Sequence, residues 1–132
     1  MMLAAFAGAL SGAAIAGTMQ VTGMLRERSG LAILLAAIAA FYPVFAVASG
    51  AGVGTIALHA TAFLGFCALA LTGYRRGGHL IAAGIVLHGV FDLAAVVTGH
   101  PAPAWWPSFC GALDIVAGGL ILFFLNRMAP AS

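Results

Sequence analysis

The stretch LIAAGIVLHGVFDLAAVVT, residues Leu80–Thr98, decides how this chain is read. Its only ionisable side chains are His88 and Asp92. A membrane helix needs about 20 mostly apolar residues to cross about 30 Å of hydrocarbon, and this stretch meets that requirement. It also raises the question of function. An Asp near mid-membrane costs about 2.5–3.5 kcal/mol on the insertion scale, and a strongly apolar residue returns about 0.3–0.6 kcal/mol. The surrounding Leu, Ile, Val and Phe therefore carry Asp92 into the bilayer. They do not make a lipid-facing carboxylate tolerable, so Asp92 has to turn inward and find polar company.

Four further stretches read the same way. They run from about Leu3 to Leu25, from Leu31 to Ala48, from about Val53 to Gly73, and from about Trp106 to Leu125. The connections between them are short, and no linker, second domain or repeat interrupts residues 1–132. The expected fold is all-α: one integral membrane bundle of five transmembrane helices with short loops. Composition agrees. Of the 132 residues, 64% are apolar and 6% charged, where a soluble domain carries roughly a quarter charged. The mean hydropathy is +1.15. Most of the surface must therefore face the lipid bilayer.

The same counts exclude several functions. The five cationic residues are all Arg, too few and too scattered to follow a nucleic-acid backbone. The two cysteines are too few for a disulfide framework. The 18 glycines form neither a Walker loop nor a dinucleotide fingerprint, but are scattered through apolar segments as in packed membrane helices.

Orientation follows from the arginines. With five spans, the connections after the first, third and fifth lie on one side. Arg26, Arg28, Arg75, Arg76 and Arg127 all fall there, and none falls on the other side. The positive-inside rule then places the C-terminus in the cytoplasm and the N-terminus outside, in a bacterial inner membrane. The first span lacks the basic start of a secretory signal, and its apolar run continues through Val21 and Met24. It is expected to remain as a helix. Its small residues recur every fourth position at Ala4, Gly8, Gly12 and Ala16. Such a stripe serves packing within the bundle first, and a homo-oligomer seam second.

Polar side chains gather in the outer half. Helix rise puts Asp92 about 10 Å and Asp114 about 12 Å below the outer surface, on consecutive antiparallel spans. His88 shares a helix face with Asp92, and Cys110 shares one with Asp114, each at a spacing of four. His59 lies near the outer end of the third span, His100 in the last outer loop, and Tyr42 beside Pro43 in the second span. The inner half holds little beyond Thr18, Gln20, Thr22 and Cys67. His, Asp and Cys are the ligand types for zinc, copper or iron. The candidate metal ligands are therefore His88, Asp92, Cys110 and Asp114, with His59 or His100 as a further ligand or proton relay, and a transition metal as the cofactor. The plainer explanation is a structural network in which Asp92 is protonated or bonds His88, while Asp114 meets a helix end or a hydroxyl. Cys110 and Cys67 lie at depths of about 6 Å and 20 Å, too far apart for a bridge, so two free thiols are expected. In the loop, Trp105 and Trp106 match an aromatic belt at headgroup level, with a lid over the polar layer as the alternative.

The run His88-Gly89-Val90-Phe91-Asp92, followed by Pro103-Ala104-Trp105-Trp106-Pro107-Ser108-Phe109-Cys110 and Asp114, resembles a family of small bacterial multi-pass inner-membrane proteins with no assigned activity. Phe41-Tyr42-Pro43-Val44-Phe45-Ala46 is also similar. The resemblance covers the C-terminal third well and the rest loosely. It implies a small helical bundle in which His88, Asp92, Cys110 and Asp114 belong to one recurring pattern. It also implies a further His one turn after the Asp, where this chain has Ala95 and Val96.

Two functions fit. The first is a binding or assembly role, in which the protein packs against itself or a larger membrane complex; five short helices leave little room for a shielded site and a substrate path. The alternative is a metal- or proton-dependent membrane enzyme or carrier using the His/Asp/Cys cluster. The sparse inner half favours a site reached from outside over a path across the membrane.

Overall fold

Away from water every backbone N–H and C=O needs an internal partner, and a helix supplies one within its own segment. The computed structural model describes residues 1–128, and among them the apolar stretches are mostly helical. They form α1 (Met2–Val21), α2 (Arg28–Ala39), α3 (Phe41–Ala48), α4 (Val53–Arg76), α5 (Gly78–Thr98) and α6 (Trp106–Met128). Together α2 and α3 make one span, so five units of 20 to 24 residues are long and apolar enough to cross a membrane.

Several boundaries differ from expectation, each for a local reason. The first helix stops at Val21 rather than Leu25. Gly23 takes a left-handed φ of 77°, which ends the helix, and a 3-10 turn over Met24–Arg26 follows. That turn rotates Leu25 into the core, where it is 2% exposed. The second span begins at Arg28, whose Nη1 donates to the carbonyls of Tyr74 and Arg75 at 3.4 Å. These are among the orphan carbonyls at the end of α4, and a cation suits that negative helix end. The same span breaks at Ala40, because Pro43 has no N–H to give the Ala39 carbonyl and its ring crowds that group. The third span runs on to Arg76 and the fifth to Met128, both past their expected ends.

The packing order is not the chain order. α1 packs on α6, α6 on α5, α5 on α4, and α4 on α2 and α3. The first helix thus pairs with the last. The small-residue stripe is the reason: a Cβ on Gly8 would run into the Phe109 carbonyl, and one on Gly12 into the Leu113 carbonyl. Backbones this close need glycine at the contact. Between α1 and α2 lies an open apolar groove of about 650 Å³, lined in part by Ile15, Met19, Ile33 and Leu34.

All five arginines lie at one end of the bundle. In the half next to them, a core of Leu31, Leu35, Ile81, Ile85 and Ile121 is fully buried. In the arginine-free half the buried positions include Tyr42, His59, His88, Asp92, Cys110 and Asp114.

Candidate metal centre

Two glycines build this layer. Where α5 crosses α6, a Cβ on Gly89 would lie 2.9 Å from the Gly111 carbonyl, and a Cβ on Gly111 would lie 3.2 Å from the Gly89 carbonyl. Asp92 follows Gly89 by three residues and Asp114 follows Gly111 by three, so each carboxylate sits on the crossing face of its helix. His88 and Cys110 each precede those glycines by one. The two helices therefore carry the same pattern, His-Gly-x-x-Asp and Cys-Gly-x-x-Asp. An antiparallel crossing at the shared glycine brings both sets to one point.

The resulting contacts are short. His88 Nδ1 donates to Asp114 Oδ2 at 2.6 Å and lies 3.3 Å from Asp92 Oδ2. Cys110 Sγ is 3.9 Å from Asp114 Oδ2. One ligand atom from each of His88, Asp92, Cys110 and Asp114 falls within 4.8 Å of every other. Both carboxylates are 0% exposed, the imidazole 1% and the thiol 3%. His88 pairs with Asp92 as expected, at 3.3 Å, but its shorter contact is with Asp114, across the helix pair.

That arrangement leaves a deficit. Among the described residues, neither oxygen of Asp92 has a hydrogen-bond partner, nor has Asp114 Oδ1. The Tyr42 hydroxyl lies beside Asp92 but is unpartnered too. No Arg or Lys reaches this half. Two buried carboxyl groups thus face a single imidazole, in a medium where such groups are paired, neutralised or bound to metal. Ligands around a tetrahedral zinc sit about 3.3–3.8 Å from one another, given bonds of about 2.0–2.3 Å. The widest separation exceeds that spacing by about one ångström, and the His88–Asp114 contact would have to open by a little less than that.

The two remaining candidate ligands stand apart from this set. His59 on α4 is 6% exposed and stacks on Tyr42, with ring centroids 5.2 Å apart and planes at 14°. His100, in the loop between α5 and α6, meets the Tyr42 ring edge-on at 6.4 Å. Tyr42 is in turn 6.5 Å from the His88 ring, and Phe91 packs against Tyr42, His59 and His88. Tyr42 and Phe91 therefore separate His59 and His100 from the four-residue centre. Both thiols are free, and Cys67 takes no part. Thr18 and Gln20 of α1 are exposed.

The tryptophans divide their roles. Trp105 is half exposed, as a belt residue is. Trp106 packs on Phe41 at 4.7 Å and on Phe45 at 5.1 Å, tying the start of α6 to α3. The chain matches no family model, and neither a curated protein nor a solved structure shows a significant likeness to it.

Proposed function

We propose that this is an integral membrane metalloprotein that holds one divalent transition-metal ion between α5 and α6, with His88, Asp92, Asp114 and Cys110 as ligands. One observation carries the proposal: a fully buried Asp92 whose two oxygens have no partner, beside a second carboxylate, an imidazole and a thiol. A divalent cation balances two carboxylates and occupies the unsatisfied oxygens. The mixed N, O and S donor set suits zinc or a neighbouring metal and not magnesium or calcium, which prefer oxygen alone.

The arginine split supports a bacterial inner-membrane location with the N-terminus outside, so the metal lies in the half facing away from the cytoplasm. The assembly role has one support fewer than the sequence offers it, because α6 already covers the small-residue stripe.

The test is elemental analysis of protein purified in detergent from membranes. The expected result is about one zinc-class ion per chain, lost in His88→Ala and Asp92→Asn while both variants still purify as folded protein. Metal-free wild type that stays metal-free on adding Zn²⁺ would overturn the proposal. Periplasmic reporters fused near Ala51 and Ala102 should be active, and those at Gly77 or the C-terminus silent.

A further inference from the structure

At the arginine-free end, a surface pocket of about 430 Å³ is lined by Ser49, Thr55, His59, Thr98, His100 and neighbouring loop residues. Two imidazoles meet there. His59 is more than nine-tenths buried, yet its Nδ1 has no hydrogen-bond partner. His100 is its neighbour across the pocket, and its Nδ1 is likewise buried and unpartnered. A buried imidazole nitrogen without a partner is costly, and two such nitrogens beside one polar pocket point to a shared ligand. Between this pair and His88 stand Tyr42, whose ring neighbours His59, His100 and His88, and Phe91, whose ring neighbours His59 and His88.

We infer that His59 and His100 form a loading station for a borderline divalent metal ion such as Zn²⁺ or Co²⁺, which passes from this pocket beneath Tyr42 to the four-residue centre. The inference rests on the metal centre proposed above. Its logic is the order of ligand strength. An ion arriving from water must lose part of its hydration before it enters an apolar bundle. Two neutral imidazoles replace some of that water and bind weakly, so the ion is free to move on. The inner set has four donors, two of them carboxylates, and holds what it receives. Imidazole also selects at the mouth, since Mg²⁺ and Ca²⁺ prefer oxygen ligands. The hydroxyls of Ser49, Thr55 and Thr98 around the pocket complete the shell of a partly hydrated ion.

Uptake of Co²⁺ by metal-free protein in detergent separates the two sites. Binding at the inner centre gives a thiolate-to-cobalt absorption band from Cys110, and the loading station, which has no sulfur, gives none. Wild type should develop this band rapidly. His59→Gln with His100→Gln should develop it several-fold more slowly and reach the same final amplitude, which also shows that the variant is folded. His100→Gln alone, in a loop, should slow uptake without any risk to the fold. In Asp92→Asn, weak Co²⁺ binding without the band should persist, and should vanish when both imidazoles are also replaced. Equal rates in wild type and the double variant would overturn the loading station and leave the centre intact. No thiolate band in wild type would overturn both.

Discussion

Near the arginines, α2, α5 and α6 meet through Leu31, Leu35, Ile81, Ile85 and Ile121. Farther along, the same α5 and α6 meet through His88, Asp92, Cys110 and Asp114. Both layers are buried, but for different reasons. Lipid tails are as apolar as leucine, so the first layer gains shape-matched contact and no hydrophobic transfer. The second layer gains hydrogen bonds and, with a metal, coordination, at the cost of holding two carboxylates away from water. The packed layer therefore sets stability smoothly, residue by residue. The polar layer is uneven, because removing His88 strands both carboxyl groups whereas changing Asp92, whose oxygens have no hydrogen-bond partner, strands little.

The sharpest way to break the comparison is at the crossing that both layers share. Gly89→Leu puts side-chain atoms into the Gly111 carbonyl, which cannot yield, and should abolish the folded bundle and the centre together. Size-exclusion profile and melting temperature measure this; a monodisperse variant with wild-type melting would show that the close approach is dispensable.

Next is the polar layer alone. His88→Ala strands both carboxylates and should cost about 3–5 kcal/mol in the metal-free protein. Asp92→Asn removes the unpartnered charge and should leave metal-free stability equal or raised, while removing the stabilisation that wild type gains from Zn²⁺. Thermal melts with and without Zn²⁺ decide this, and a large loss in metal-free Asp92→Asn would contradict the charge deficit.

Ile81→Ala tests the packed layer. It should cost about 2 kcal/mol, the low end of the soluble range, because only contacts and not transfer are lost. Metal stoichiometry should stay at the wild-type value; loss of the metal would mean that the two layers are one cooperative unit. The smallest effects belong to the tryptophans. Trp106→Ala should cost about 0.5–1.5 kcal/mol from its contacts with Phe41 and Phe45, and Trp105→Ala should cost less than that. An equal loss at both positions would remove the distinction between clamp and belt.

Much of the polar layer was legible in the residues. Spacing put His88 with Asp92 and Cys110 with Asp114, and helix rise put both pairs at one depth. The glycines were the overlooked signal: a [His/Cys]-Gly-x-x-Asp pattern on two consecutive helices marks the crossing point itself. His59 and His100 were not separable from the centre by depth, because depth says nothing of what stands between side chains in the same layer. Tyr42 and Phe91 stand there.

The amino-acid sequence alone determined five apolar spans, the gathering of arginines at one end, and the need of two intramembrane acids for company. These are sums over single segments, since each residue adds its own transfer free energy wherever its helix later packs. Only the tertiary structure decided that α1 pairs with α6, that His88 lies closer to Asp114 than to Asp92, and that the Asp92 oxygens are left without a hydrogen bond. Those outcomes turn on how closely two particular backbones approach. Lipid does not distinguish one apolar helix face from another, so the choice falls to shape, and shape belongs to pairs of helices rather than to any one segment.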